Sequence, residues 1–248
     1  MTKQFLKFSV IIAALVLIFG SCSKDDNNTF ISNPFNGKTT ALFNSSVTYG
    51  SMTDQDSNVY KTVTIGTQTW MAENLRTKKY NDGKVIPNVT DHAAWPHLTT
   101  DAYCTYNNIT NDDTIATFGL LYNWYAVNTG KLAPTGWHIA TDADWTQLTE
   151  YLGGDSIAGG MLKETGTSHW YSPNKGATNE TGFTALPAGG RGPDGELFYN
   201  IGSYSYWWSS SEYSTENAWL RFVFFDGSNT GRHNVSKKYG FAVRCVKD

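Results

Sequence analysis

The residues from 59 to 71 read VYKTVTIGTQTWM, and this stretch decides how the chain folds. Side chains of two kinds alternate from Val59 to Ile65, Gly66-Thr67 interrupts the run, and a second extended run follows from Gln68 to Met71. A period of two is typical of a strand with one buried face, and a glycine-containing pair between two such runs is typical of a hairpin turn. The stretch therefore predicts an opening β-hairpin.

Two helices are predicted in the middle of the chain. Apolar residues at helical spacing indicate the first, and these are Leu120, Leu121, Trp124 and Val127. The second begins at Thr141, whose hydroxyl can cap it, and Gly153-Gly154 ends it. Its buried stripe consists of Trp145, Leu148 and Leu152. The segments before and after the helices, residues 81–113 and 154–206, are rich in turn-forming residues and predict long loops.

The chain returns to strands near its C-terminus. Trp219, Arg221 and Val223 alternate with apolar neighbours, and Asp226-Gly227 supplies a turn. Residues 239–246 predict a last strand with Phe241, Val243 and Cys245 on one face. The sequence thus predicts an α+β domain over residues 58–248, closed by antiparallel strands.

The first 21 residues have the order of a secretory signal peptide. Lys3 and Lys7 precede the apolar run 8–19, and the small residues Gly20-Ser21 follow it. The run is shorter than the roughly 20 residues that a membrane-spanning helix needs. We therefore predict that residues 1–21 are removed after export.

Cys22 follows the small residues directly, and the phrase FGSC at 19–22 resembles the bacterial lipobox. That resemblance implies a lipid-modified Cys22 and a protein tethered to an outer membrane; the alternative is an ordinary signal peptide with a free thiol at Cys22. The phrase KDD at 24–26 resembles the surface-export signal of Bacteroidetes lipoproteins. The alternative is that these residues are a solvated polar linker. We predict a flexible, lipidated stalk over residues 22–57 and a domain facing the cell exterior.

Composition narrows the class of function. The net charge is −3, which gives no basic footprint for nucleic acid. Charged residues make up only 17% of the chain and aromatic residues 15%, so aromatic packing is expected to stabilise the domain. Cys104 and Cys245 remain once Cys22 carries lipid, and they form either a disulfide, as an exported protein permits, or two buried thiols.

Six phrases follow one another along the chain: VTIGTQTWMAENL (63–75), GLLYNWY (119–125), PTGWH (134–138), GFTALP (182–187), WSSSE (208–212) and VRCV (243–246). Taken in this order, they resemble the Fibrobacter succinogenes major paralogous domain family. The resemblance implies a C-type lectin-like fold with two helices, a long loop region and antiparallel closing strands. Ala133 stands where family members often carry a cysteine before the PTGWH phrase, so the family's disulfide scheme does not transfer directly.

The resemblance implies extracellular binding or adhesion, with a glycan or a protein as ligand, and no catalysis. The chain lacks the HExxH, GxSxG and GxxxxGK motifs of common enzyme classes. The competing interpretations are a structural envelope protein and an enzyme similar to formylglycine-generating enzymes, which share the C-type lectin-like fold. No cofactor is predicted; calcium stays possible, although the sugar-binding phrases of calcium-dependent lectins do not occur.

Aromatic and amide side chains near the C-terminal strands are the predicted ligand contacts, because aromatic rings stack on sugars and Tyr, Trp and Arg dominate binding hot spots. These residues are Tyr204, Tyr206, Trp207, Trp219, Arg221, Asn229 and Asn234. The competing interpretation places Trp208 and Trp219 in the core.

Overall fold

A computed structural model describes residues 37–248, which contain twelve strands and four α-helices. The strands are β1 Gly50–Thr53, β2 Val59–Ile65, β3 Gln68–Met71, β4 Tyr103–Cys104, β5 Leu121–Tyr122, β6 Trp137–Ile139, β7 Ala188–Arg191, β8 Phe198–Ile201, β9 Tyr204–Glu212, β10 Asn217–Phe224, β11 Gly231–Ser236 and β12 Cys245–Lys247. The helices are α1 Asp112–Phe118, α2 Trp124–Val127, α3 Asp142–Tyr151 and α4 Asp155–Leu162. The predicted mixed α+β class is confirmed.

The strands form two five-stranded sheets and one small pair. The first sheet has the order β1-β2-β3-β12-β6, and the second has the order β11-β10-β9-β7-β8. β4 and β5 form the pair. All pairings between strands are antiparallel except that of β7 with β9. The first sheet therefore joins the N-terminal strand of the domain to its C-terminal strand.

The opening hairpin and α3 form as the sequence predicts. β2 pairs with β3, and Gly66 adopts a φ of +63° in the turn between them, which a glycine tolerates without strain. Thr141 caps α3: its side chain accepts from the backbone N–H of Asp144, and the Asp144 carboxylate accepts from the backbone N–H of Thr141. This reciprocal capping box satisfies two donors that the helix itself leaves free.

The core lies on both sides of the closing segment 241–246. Phe241, Val243 and Cys245 belong to one buried cluster, while Ala242 and Val246 belong to another. This alternation confirms the predicted common face of the first three residues. Regular strand pairing within this segment is limited to β12, because the rest pairs through single bridges.

The region around the first predicted helix differs from the prediction. Leu121 lies in β5, and only the part from Trp124 to Val127 is helical. The side chain of Asn123 explains the change, since it accepts from the backbone N–H of Ala126 and so starts the helix there. An additional short helix, α1, begins at the end of the segment predicted as loop.

The predicted loop 154–206 contains α4 and the strands β7 and β8. Two glycines inside α4 concealed the helix, because glycine is a poor helix former. They are needed for close approach: a Cβ at Gly159 would lie 2.3 Å from the carbonyl oxygen of Asn229, and one at Gly160 would lie 2.4 Å from that of Gly176. The glycines indicate tight packing of α4, and the loop prediction is wrong there.

The domain begins earlier than residue 58. β1 pairs with β2, and residues 38–44 hydrogen-bond to distant parts of the domain. The buried carboxylate of Glu164 accepts from the backbone N–H of Leu42 at 2.6 Å and contacts Nδ1 of His169 at 2.7 Å. The prediction of a flexible stalk is therefore wrong for residues 37–57, because these specific hydrogen bonds fix the segment. The signal peptide, Cys22 and the rest of the predicted stalk lie outside the described residues.

The predicted disulfide is also wrong for this structure, in which Cys104 and Cys245 are free and buried. The two thiols belong to different hydrophobic clusters and to different sheets. Burial raises the pKa of the Cys104 thiol to about 12 and raises that of Cys245 as well. Within residues 37–248, no helix is long and apolar enough to cross a membrane.

Candidate ligand-binding face

The second sheet separates the predicted ligand contacts onto opposite faces. Tyr204 and Tyr206 of β9 lie in register with Phe224 and Phe222 of β10, so these four side chains share one face. Trp219 and Arg221 of β10 point to the other face, which packs against α3. The predicted set is therefore not one site.

Trp207 is a core residue, and its prediction as a ligand contact is wrong. Its side chain is 1% exposed and packs against Trp145 and Phe183, with ring centroids 5.3 and 5.7 Å away. Its indole N–H donates to Oδ1 of Asn74 at 2.9 Å. Trp208, immediately next to it, is fully buried, which confirms the competing interpretation for that residue.

Arg221 is also buried, and its prediction as a ligand contact is wrong. Its guanidinium donates to Oδ1 of Asp142 at 2.9 Å and to Oγ1 of Thr146 at 2.8 Å. Both partners belong to α3. Arg221 therefore joins β10 to that helix, and its donors face the protein interior.

Trp219 is half-buried and has partners on its ring. The guanidinium carbon of Arg232 lies 3.4 Å from the ring centroid, and Tyr213 approaches edge-on with its centroid at 4.8 Å. The neighbouring Asn234 accepts a hydrogen bond from the side chain of Asn217 at 3.1 Å. These contacts hold the two side chains in place, and a binding role for Trp219 and Asn234 stays a prediction.

Asn229 is exposed in the turn between β10 and β11, separate from both groups. Its backbone carbonyl lies against Gly159 of α4, and its side-chain amide donates to the carbonyl of Thr230 at 3.5 Å. The exposure predicted for Asn229 from its turn is confirmed, whereas a binding role stays a prediction.

The face that carries Tyr204 and Tyr206 is lined by six half-buried aromatic rings, which we call the aromatic face. Its members are Tyr199, Tyr204, Tyr206, Phe222, Phe224 and Tyr239. β8, β9 and β10 supply five of them, and the segment after β11 supplies Tyr239. The sequence prediction missed four members, because alternation shows which side chains share a face and not which face stays accessible.

The rings of the aromatic face are ordered by contact with one another. Tyr204 and Tyr206 are parallel within 2°, with centroids 5.3 Å apart, and Phe224 continues the row 5.6 Å from Tyr204. Parallel rings at this spacing overlap with an offset, which is a favourable arrangement. The buried ring of Phe241 supports the face from below, at 5.1 Å from Tyr206 and 5.3 Å from Tyr239.

Glycine permits the position of Phe222. A Cβ at Gly231, the register partner on β11, would lie 2.0 Å from Cζ of the Phe222 ring. The ring therefore rests directly on the backbone of β11. Gly227 likewise leaves room for the ring of Phe224, because a Cβ at Gly227 would lie 2.3 Å from that ring.

Polar atoms accompany the rings. The side-chain amide of Asn200 donates to the hydroxyl of Tyr206 at 2.8 Å. In the described part of the chain, the hydroxyls of Tyr199, Tyr204 and Tyr239 have no hydrogen-bond partner, and none of them is a buried unsatisfied atom. Burial raises the pKa of Tyr206 to about 12, and it also raises the pKa of Tyr199.

Residues 37–248 hold no group of three or more His, Cys, Asp or Glu side chains placed to bind a metal ion. One polar row is notable: Oγ1 of Thr40 lies 2.9 Å from Nε2 of His169, whose Nδ1 contacts Glu164. The same Thr40 hydroxyl also lies 3.1 Å from Oγ1 of Thr117. This row fixes the segment before β1 to the domain.

Comparison with known proteins identifies one family. The model of the Fibrobacter succinogenes major domain matches residues 63–247. No curated protein and no solved structure matches the chain. The matched range contains every residue of the aromatic face.

Proposed function

We propose a binding function for this chain, which belongs to the Fibrobacter succinogenes major domain family. In this proposal the protein is exported, carries lipid on Cys22, and displays its domain on the outside of an outer membrane. The domain binds an extracellular glycan or protein without catalysis. The aromatic face is the observation that carries the proposal.

The aromatic face supports binding because apolar side chains remain partly accessible on a sheet face where polar side chains would be expected. The other face of the same sheet packs against α3, through contacts such as Arg221 with Asp142. A contiguous group of accessible aromatic rings on a soluble domain marks a site of interaction. Tyrosine and phenylalanine supply large contact area, and tyrosine adds a hydrogen-bonding hydroxyl.

The C-type lectin-like fold is part of the proposal. It is supported by the first sheet, which contains both β1 and β12 and so brings the two ends of the domain into one sheet, and by the long irregular segment between α4 and β7. A ligand face on the C-terminal strands fits that plan. The lipid anchor is supported by the order of residues from Lys3 to Cys22.

Binding is tested with soluble protein from Ser23 to Asp248 on an array of polysaccharides and surface glycoproteins, with and without calcium. We expect saturable binding to one class of ligand. Phe222→Ala should weaken that binding at least tenfold, which corresponds to about 1.4 kcal/mol. Trp219→Ala, on the opposite face, is the matched control and should retain affinity. Loss of binding in the control alone would place the site elsewhere.

Anchoring is tested separately in cells by labelling with a radioactive fatty acid. The native chain should incorporate label and be removed by protease added to intact cells. Cys22→Ser should abolish the label and release the protein from the membrane fraction. Label that persists in Cys22→Ser would contradict the lipid anchor, and complete protection from protease would contradict surface display.

A further inference from the structure

We infer that the ligand of the aromatic face is a neutral saccharide, recognised by the phenol hydroxyls of Tyr199, Tyr204 and Tyr239 together with the apolar rings around them. This inference rests on the proposed binding function and narrows its ligand to one chemical class. It is carried by the free hydroxyls, by the contact between Asn200 and Tyr206, and by the charges around the face.

The hydroxyls are suited to a sugar because each can donate and accept a hydrogen bond. Those of Tyr199, Tyr204 and Tyr239 are without partners among the described residues and are reached by solvent. A saccharide presents the same mixed pattern of donors and acceptors, separated by apolar C–H groups. Hydroxyl pairs between ligand and protein can therefore form while the rings cover the C–H groups.

Asn200 orients the hydroxyl group of Tyr206. It adopts a φ of +62° at the end of β8, and its Nδ2 donates to the Tyr206 hydroxyl. Because that hydroxyl already accepts a hydrogen bond, its own proton remains available to an acceptor on the ligand. Asn200 is thus a positioning residue for Tyr206.

Charge distinguishes neutral saccharides from acidic ones. Among the described residues, none of the six rings takes part in a cation–ring contact; the cations that do so lie elsewhere, such as Arg232 on Trp219 and Lys237 on Trp124. The rings themselves carry no charge, and a charged group that acts on the face is a carboxylate: burial raises the pKa of Tyr199, and Asp194 adds to that rise. A uronate or sulfate pressed against these rings would lose water without gaining a counter-charge, which is unfavourable.

Aromatic clusters also bind quaternary ammonium ligands, which contact the faces of several rings at once. Here Tyr204 lies parallel to Tyr206 on one hand and within 24° of Phe224 on the other. The three rings lie in one row with nearly parallel planes, so they do not surround a cation on several sides. The face favours a ligand that uses hydroxyl groups.

The test is isothermal titration of soluble protein from Ser23 to Asp248 with cellohexaose, xylohexaose and mannohexaose, and with hexagalacturonate and choline as competing chemistries. We expect at least one neutral hexasaccharide to bind, with hexagalacturonate and choline at least tenfold weaker. The triple variant Tyr199→Phe, Tyr204→Phe, Tyr239→Phe retains the rings and should weaken binding at least tenfold. Tyr213→Phe, on the opposite face, is the matched control and should leave affinity unchanged.

Two results would overturn the inference while the binding function stands. The first is tighter binding of hexagalacturonate or choline than of the neutral hexasaccharides, where Phe222→Ala abolishes that binding. The second is unchanged affinity for the neutral ligand in the triple variant. If none of the probes gives binding that depends on Phe222, the neutral-saccharide inference fails. If, in addition, the array yields no ligand sensitive to Phe222→Ala, the proposed function fails with it. The near-ultraviolet circular dichroism of each variant verifies that it is folded.

Discussion

At the scale of single residues, Arg244 shows how one charged side chain organises the core. It is fully buried, and its guanidinium donates to Oδ1 of Asn74 and to the backbone carbonyls of Met71, Phe183 and Thr184. The phrase around Arg244 belongs to the family resemblance, yet the sequence could not reveal its role, because the acceptors come from segments 60 to 173 residues away along the chain. Arg244 therefore ties the opening hairpin to the segment before β7.

Replacement of Arg244 by Met should destabilise the domain by at least about 4 kcal/mol, because four acceptors lose its donors and each buried acceptor left without a donor costs about 1–3 kcal/mol. The free energy of unfolding in urea, followed by tryptophan fluorescence, measures the change. Arg232→Met is the control: its side chain is exposed, and its ion pair with Asp142 should contribute less than about 1 kcal/mol. Equal effects of the two substitutions would contradict the role given to Arg244.

His138 predicts a dependence of stability on pH. Its Nδ1 lies 2.8 Å from Asp248 and its Nε2 lies 3.1 Å from Asp144. Burial lowers the pKa of His138, but the two carboxylates outweigh burial and raise it above the ordinary value of 6.5. A raised pKa in the folded state gives stability that is fully present below pH 6.5 and is lost as the pH rises through the folded pKa.

The melting temperature should therefore fall between pH 6 and pH 8 in the native protein, apart from contributions of other groups. His138→Gln keeps two hydrogen-bonding atoms but does not titrate, so the fall should be smaller in this variant. Calorimetric melting at a series of pH values measures both. A fall of the same size in His138→Gln would show that His138 is not responsible.

At the scale of elements, periodic segments were predictable and closely packed glycines were not. The hairpin β2–β3, the helix α3 and the strand β10 follow from patterns in 59–71, 141–152 and 219–225, because one face of each is buried. α4 was missed because Gly159 and Gly160 lower the local helix propensity while serving contacts with distant backbone. The face of β9 was missed for a related reason, since the position of α3 decides which side is covered.

Gly160→Ala distinguishes local propensity from packing. Propensity alone would make alanine more favourable in a helix by about 1 kcal/mol. The structure predicts the opposite sign, because the new Cβ would lie 2.4 Å from the carbonyl oxygen of Gly176, and overpacking of this kind costs about 1–3 kcal/mol. Urea unfolding measures the sign, and Ser156→Ala, at an exposed position of the same helix, is the control with an expected change within about 0.5 kcal/mol. A stabilised Gly160→Ala variant would contradict the packing of α4.

At the scale of the whole molecule, the two sides of the second sheet differ in how much of each is accessible to solvent. One side joins α3 through Trp207, Arg221 and their partners, and so it is part of the core. The other side is buried in the core at Trp208 and Leu220 and is partly accessible at the aromatic face, and Phe241 packs against both parts. Composition predicted the importance of aromatic residues, but the division between core and accessible rings required the register of β9 and β10. The binding function we propose follows from that division.

The most direct measurement is nuclear magnetic resonance of the aromatic side chains during titration with the ligand found on the array. We expect the signals of Tyr204, Tyr206, Phe222 and Phe224 to shift with ligand concentration, while the indole signals of Trp207 and Trp219 stay unchanged. Shifts confined to Trp219 and its neighbours, with the aromatic face unchanged, would contradict the claim that this face is the binding site.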